Sequence, residues 1–361
     1  MNHLFWKNKR ILITGHTGFK GAWLSLWLQE LNAEICGIAL EPNTQPNLFS
    51  LASVAKNMQN HIADIRDFEN IKKIIHDFKP EIIIHMAAQP LVRYSYQNPI
   101  ETYSTNVMGT VHVLEAAKTC ESIKAIVNVT TDKCYENKEW AWGYRENETL
   151  GGFDPYSNSK ACSELVTSAY RNSFYQKLNI GLASARAGNV IGGGDWSQDR
   201  LIADIMKSIV DEKPVVIRNP HAIRPWQHVL EPLSGYLLLV EKLFNLPEKY
   251  AEAWNFGPYA HDAVTVENIV KKIFSNWPDK NAGYAIKQDP ENLHEAHFLT
   301  LDITKAMTEL NWKPRLNSNE TIAWVTDWYQ AWIKKEDMHE FTVKQIKQYE
   351  NLTSGEQHVS G

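Results

Sequence analysis

Arg10-Ile11-Leu12-Ile13-Thr14-Gly15-His16-Thr17-Gly18-Phe19-Lys20-Gly21 decides the reading of this chain. Its first five residues read as a buried strand, and residues 22–31 carry apolar side chains at helical spacing. Between them, glycines at GxxGxxG spacing permit a tight turn. They also let the backbone N–H groups at a helix N-terminus approach a pyrophosphate. An ordinary strand-to-helix turn is the bland alternative, but the flanking strand and helix favour dinucleotide binding.

Outward from that unit the alternation repeats. Strands are expected at Arg10–Thr14, Glu34–Ala39, 81–86, 124–129 and 179–185, with a further one just before Asp64. Helices are expected at 22–31, 67–78, 100–118 and 157–176. This pattern predicts an α/β fold, a Rossmann-type doubly wound parallel sheet with helices on both faces. Past Asn189 it breaks. A loop at 191–195 leads to helices at 201–211, 231–246, 266–276, 304–310 and 320–334, with a short strand at 215–218. The expected organisation is a dinucleotide-binding domain at 1–188 and a smaller mixed α/β substrate lobe at 189–340, interleaved with the sheet. A C-terminal helix and frayed tail follow at 341–361, with fraying from Asn351.

Composition narrows the function. At 361 residues and 43% apolar content the chain can bury a large core. Its net charge of −5, from 37 basic and 42 acidic residues, offers no global attraction to nucleic acid or to an anionic membrane. No apolar stretch is long enough to span a bilayer. The four cysteines form no CxxC, and His294-Glu295-Ala296-His297 lacks zinc-ligand spacing. We expect a cytoplasmic protein without a metal.

Within the sheet the chemistry concentrates at strand ends. Glu41, 20 residues past Gly21, stands where an acid can bind an adenosine ribose hydroxyl, although a plain turn is as consistent with it. No arginine in 39–51 awaits a 2′-phosphate, which favours NAD over NADP. Asp64-Ile65 is placed to bracket an adenine, or Asp64 is simply a helix cap. Tyr156 and Lys160 share a helix face at i and i+4, and a nearby ammonium favours the phenolate of a tyrosine. Thr130-Thr131-Asp132-Lys133 ends a central strand, where open α/β sheets place their active sites.

Together with His85-Met86-Ala87-Ala88-Gln89 and Asn106-Val107-Met108-Gly109-Thr110, these motifs resemble the extended short-chain dehydrogenase/reductase family. Thr131-Asp132 is similar to its nucleotide-sugar 4,6-dehydratases rather than to the 4-epimerases, which usually carry Ser-Ser or Ser-Thr there. The dTDP-glucose enzymes continue with glutamate; here the residue is Lys133. That departure resembles the branch whose substrate is CDP-glucose, as do residues 15–21, 130–137, 186–196 and 224–236. The likeness runs from Trp6 to Trp332.

The resemblance implies that Tyr156 takes the sugar 4-hydroxyl proton while hydride passes to NAD. Thr131 would bond the 4-oxygen, Lys160 would orient Tyr156 and the ribose, and Asp132 would protonate the departing 6-hydroxyl. Lys133 is a candidate base at C5, although a lysine of ordinary pKa, about 10.4, must first lose its proton; it could instead stay charged and stabilise the enolate, or only pair with Asp132. The cofactor would be held by Gly15, His16, Thr17, Gly18, Phe19, Lys20, Gly21, Glu41, Asp64, Ile65, Ala87, Ala88, Gln89 and Thr130, with Tyr156 and Lys160. The sugar nucleotide would be held by Asn189, Arg200, Arg224, Trp226 and His228, with Trp196 and Tyr284 as candidate stacking partners. His16 is expected either to crowd the pyrophosphate and loosen NAD, or to turn outward. A homodimer or homotetramer built on helices 100–118 and 157–176 is also implied, as is a place in deoxysugar or O-antigen-type synthesis. Another nucleotide-sugar dehydratase or a 4-epimerase, and more remotely a non-catalytic NAD-binding sensor, are the competing readings.

Overall fold

The computed structural model describes residues 2–217, 219–277, 283–286 and 298–352. Seven parallel strands form one sheet. Six are β1 (Arg10–Thr14), β2 (Glu34–Ala39), β3 (Gln59–Ile62), β4 (Ile82–His85), β5 (Ala125–Val129) and β6 (Gly181–Ala187). The seventh, Ala253–Phe256, lies outside β6, and the order continues β5, β4, β1, β2, β3. Strands buried on both faces become nearly continuous aliphatic runs. Ile11, Leu12 and Ile13 and the triplet Ile82, Ile83, Ile84 are all fully buried. Alternation divides their side chains between two cores. Ile11 and Ile13 join Trp23 and Trp27 on one face, while Leu12 joins Ile71, Ile75 and Leu114 on the other.

The helix Phe19–Glu30 has no polar face, because it is covered twice. Beneath it is the sheet, and above it lies the C-terminal helix Met338–Asn351, whose Glu350 accepts the Trp27 indole hydrogen bond at 3.0 Å. The helix expected at 100–118 is one continuous run, Pro99–Tyr103 and Gly109–Lys118 joined by a π-helical turn, Ser104–Met108. The run expected at 157–176 likewise ends in a π turn, Arg171–Tyr175. Its start is fixed chemically: Asp154 caps the N–H of Ser157 at 2.9 Å, and Pro155 occupies the first helical position.

Past Asn189 three two-stranded pairs hold the lobe, with helices Leu201–Val210, Val266–Ser275 and Ser318–Ile333 around them. The chain does not leave the sheet for good there. The helix Leu230–Asn245 packs on β5 and β6 before Ala253–Phe256 completes the sheet edge. The helix expected at 304–310 is mostly a π turn, Ala306–Leu310. The tail expected to fray from Asn351 begins instead with the last helical turn, and residues 353–361 lie outside the described residues. Arg218 and the 294–297 segment also lie outside them. Among the described residues no helix is long and apolar enough to cross a membrane.

Candidate active site

The glycine turn is built by contact. Gly15 has φ +81°, and a Cβ there would stand 2.8 Å from the Ala87 nitrogen; one on Gly21 would stand 2.1 Å from the Gly15 carbonyl oxygen. Thr14 fastens the same junction, its hydroxyl accepting the N–H groups of Met86 and Ala87 at 3.0 and 3.1 Å. The following helix has Gly18 at its cap, no side-chain cap and no acid in its first turn. Its exposed N–H dipoles therefore suit an anion, and Lys20 adds a cation in that turn. Burial, then the charges of Arg200 and Lys160, pull the Lys20 ammonium down to about 7.

The other expected cofactor contacts divide. Thr17 ties the turn to β2 through the Leu40 carbonyl at 2.8 Å, and Glu41 is exposed just past that strand. Asp64 is engaged by Arg66, whose guanidinium holds its carboxyl below the ordinary range. Ile65 is buried against Gly109. Gln89 spends its side chain locally, donating to Thr102 at 2.8 Å and accepting the Leu91 N–H at 2.5 Å.

Two expectations are corrected. His16 neither crowds the turn nor faces outward. Its imidazole is fully buried over Gly37, 2.6 Å from the Asn60 side-chain oxygen and edge-on to Phe49. Thr130 does not offer its hydroxyl to a cofactor; it donates inward to the buried carboxylate of Glu164.

On the helix Pro155–Tyr170, Tyr156 and Lys160 are both buried. The Lys160 ammonium donates to the Val129 carbonyl at the end of β5, 3.2 Å away. Burial lowers it to about 8. Burial also raises the Tyr156 phenol to about 12, against the pull of a Thr131 hydrogen bond and the Arg200 charge. Thr131 starts a 3-10 turn, Asp132–Cys134, and its hydroxyl donates to Asp132 at 3.0 Å. The Asp132 carboxyl is buried and therefore shifted upward, opposed by Lys133, Thr131 and Arg224. Lys133 beside it is half-buried.

Three residues that the sequence reading left without roles shape this site. Asn106, in the π turn, grips Gln89 through both its N–H (2.8 Å) and carbonyl (3.1 Å) and donates to Ser159 at 2.9 Å. A π turn is a frequent device at functional sites, but no residue pattern announces it. Gly188 makes room for the acid, since a Cβ there would lie 1.8 Å from Asp132 Oδ2. Gln227 holds Gly188 by donating to its carbonyl at 3.1 Å.

The lobe side is mixed. Arg200 pairs with Asp195 at 3.2 Å while its charge reaches Tyr156 and Lys20. Arg224, on the short strand Ile223–Arg224, acts on Asp132. Asn189 has φ +48°, and both its side-chain amide nitrogen and the Trp226 indole N–H are buried without a hydrogen-bond partner in the described structure. His228 Nε2 is likewise buried without a partner in the described structure. The residue is fully buried between Trp23 and Trp324, and burial drives its imidazole to about 3, hence neutral. Trp196 is committed to packing on Trp328, Tyr329 and Trp332, and the Tyr284 hydroxyl donates to Glu267.

A family model described as GDP-mannose 4,6 dehydratase matches residues 12–325. The chain belongs to that family. Among its relatives, CDP-glucose 4,6-dehydratase of Salmonella typhimurium is 56% identical, over 97% of this chain and 98% of that protein. A probable dTDP-glucose 4,6-dehydratase of Sinorhizobium fredii is 27% identical, over 89% and 92%. The family's fold recurs in the Thermus thermophilus UDP-glucose 4-epimerase complex with NAD, at TM-score 0.76 and 21% identity, covering 89% of this chain and 99% of that one. It recurs again in dTDP-glucose 4,6-dehydratase from Bacillus anthracis in complex with NAD, at TM-score 0.73 and 21% identity, covering 91% and 98%.

Proposed function

We propose that this chain is an NAD-dependent hydro-lyase that converts CDP-D-glucose to CDP-4-dehydro-6-deoxy-D-glucose. The observation that carries the reading is the meeting of two sets: Tyr156 and Lys160 on one helix, and Thr131, Asp132 and Lys133 on the turn facing it. The 56% identity to a CDP-glucose 4,6-dehydratase supports the choice of base and sugar. NAD fits the uncapped helix N-terminus beyond Gly15, with the Lys160 ammonium held at the end of β5.

When bound, NAD supplies a hydride acceptor at sugar C4 and returns the hydride at C6. Tyr156 removes the 4-hydroxyl proton, and the buried Lys160 cation stabilises the phenolate this requires. Thr131 bonds the 4-oxygen. The 4-ketone acidifies the C5 proton: a neutral Lys133 takes it and returns a proton to C5 as C6 is reduced, or a charged Lys133 stabilises the enolate while another group does so. Asp132, whose carboxyl burial shifts upward, donates a proton to the departing 6-hydroxyl. Arg200 and Arg224 hold the diphosphate by charge-assisted bonds. A 4-epimerase needs no acid at C6, so Asp132 argues against that reading. A non-catalytic sensor needs neither set.

Incubation with CDP-, dTDP-, UDP- and GDP-glucose, followed by mass spectrometry, tests this. CDP-glucose should lose one water with no net consumption of NAD. Stoichiometric NADH with no dehydrated sugar would identify a simple dehydrogenase instead. We also infer self-association. Ile100, Tyr103, Met108, Leu165 and Phe174 expose large apolar side chains on the helices 99–118 and 155–175, which suits a second copy. A monomeric mass in light scattering would refute it.

A further inference from the structure

The helix Pro155–Tyr170 carries a third residue in step with Tyr156 and Lys160. Glu164, one turn beyond the lysine on the same face, is buried. Its carboxylate accepts from the hydroxyl of Thr130, from Ser184 on β6 at 2.6 Å and from Arg186 at 2.8 Å. The chemistry proposed above uses none of these bonds.

Their placement is specific to the catalytic turn. Thr130 stands immediately before it, between Val129, whose carbonyl receives Lys160, and Thr131, which serves Asp132 and Tyr156. Tyr135 stands immediately after it. The second terminal nitrogen of Arg186 donates to the Tyr135 hydroxyl at 2.7 Å and to the Glu146 carbonyl at 3.0 Å. Tyr135 in turn donates to Asn255, on the seventh strand, at 2.8 Å. One ion pair therefore holds the turn by both ends, through Glu164 before it and Arg186 after it.

We propose that Glu164 and Arg186 are a positioning pair, which fixes the Thr131–Asp132–Lys133 turn against the helix of Tyr156 and Lys160. A buried ion pair is a weak source of stability, because desolvation consumes most of its Coulomb attraction. Fixing geometry is the better reason for it, since a misplacement of about 1 Å can cost roughly a hundredfold in rate. The pair also bears on charge. Burial draws the Lys160 ammonium down, and the Glu164 carboxylate opposes that pull. The other titratable groups facing Lys160 are Lys20 from the glycine-turn helix, His85 at the end of β4 and Cys134 in the turn. Arg200, Asp132 and Asp154 face Tyr156. Lys20 repels the lysine, and burial holds both the His85 imidazole and the Cys134 thiol neutral.

This inference rests on the dehydratase reading, which wild-type turnover of CDP-glucose tests separately. Its own test is Glu164→Gln, assayed by single-turnover hydride transfer, read as nicotinamide absorbance against pH. Hydride transfer should fall roughly ten- to a hundredfold, while KM for CDP-glucose stays within about twofold. The alkaline limb should move to lower pH, because Lys160 loses the charge that keeps it protonated. Glu164→Asp should restore part of both. The double variant Glu164→Met, Arg186→Met leaves no unpaired buried charge and decides the matter where Glu164→Gln fails to fold. Wild-type kcat and an unmoved pH limb in the double variant, or a lowered melting temperature alone in Glu164→Gln, would overturn the proposal.

Discussion

The two halves of the site are built differently. Tyr156 and Lys160 stand on a 16-residue helix, capped by Asp154 and packed on the sheet. Asp132 and Lys133 stand on a three-residue 3-10 turn. In the first half, position comes from regular backbone. In the second it comes from what surrounds the turn: the empty space at Gly188, the cations Lys133 and Arg224, and the bonds from Thr130 and Tyr135 at either end. The same contrast runs through the pKa values. Burial raises both Tyr156 and Asp132, yet in the proposed chemistry the tyrosine gives up its proton first, whereas the aspartic acid holds its proton until elimination. In that chemistry one environment favours the acid, and favours the base only with help from Thr131 and Arg200.

Four substitutions should break or sharpen that contrast. Tyr156→Phe should have the largest effect, about 10⁴-fold on product formation, because no phenolate remains to accept the 4-hydroxyl proton. Bound NAD should then show no reduced-nicotinamide absorbance on addition of CDP-glucose. Asp132→Asn should still exchange hydride with C4 but stall at elimination, with turnover down about 10²–10³-fold and reduced nicotinamide accumulating. Gly188→Ala should reproduce it, since the new methyl takes the carboxyl's place. If Asp132→Asn turns over at the wild-type rate, the acid is another group; if it abolishes hydride exchange too, the halves are not separable. Smallest is Arg224→Ala. A charge-assisted contact of about 1.5–3 kcal/mol predicts a KM for CDP-glucose raised roughly ten- to a hundredfold, with a lesser effect on NAD binding. An unchanged KM would show that the guanidinium serves Asp132 alone.

Local pattern made much of this legible. The glycine turn, six sheet strands and the Tyr156–Lys160 helix follow from short-range periodicity and spacing, which survive folding almost unaltered. Features set by distant neighbours did not. His228 lies four residues past Arg224 in a motif that looks polar, but the pairing of Gln227–His228 with Val190–Ile191 turns its ring between two tryptophans. His16 sits in the glycine turn and is claimed by Gly37 and Asn60 from other strands. Glu164 reads as one more helical acid until Thr130, Ser184 and Arg186 are seen to converge on it. The strand Ala253–Phe256 is short and follows a long excursion, so no alternation signals that it rejoins the sheet.

That seventh strand sets an order on assembly. Ser184 to Ala187 pair with Ala253 to Phe256, so during synthesis β6 emerges long before its outer partner exists. Until the lobe's first half and the helix Leu230–Asn245 have been made, the edge of β6 is a bare row of peptide donors and acceptors, open to any passing strand. The partner's arrival is a contact between residues far apart in the chain, and such contacts form slowly. A chain ending before Ala253 would thus keep its glycine turn, Tyr156 and Lys160 and still be a poor soluble domain, vulnerable at the flank nearest its own chemistry.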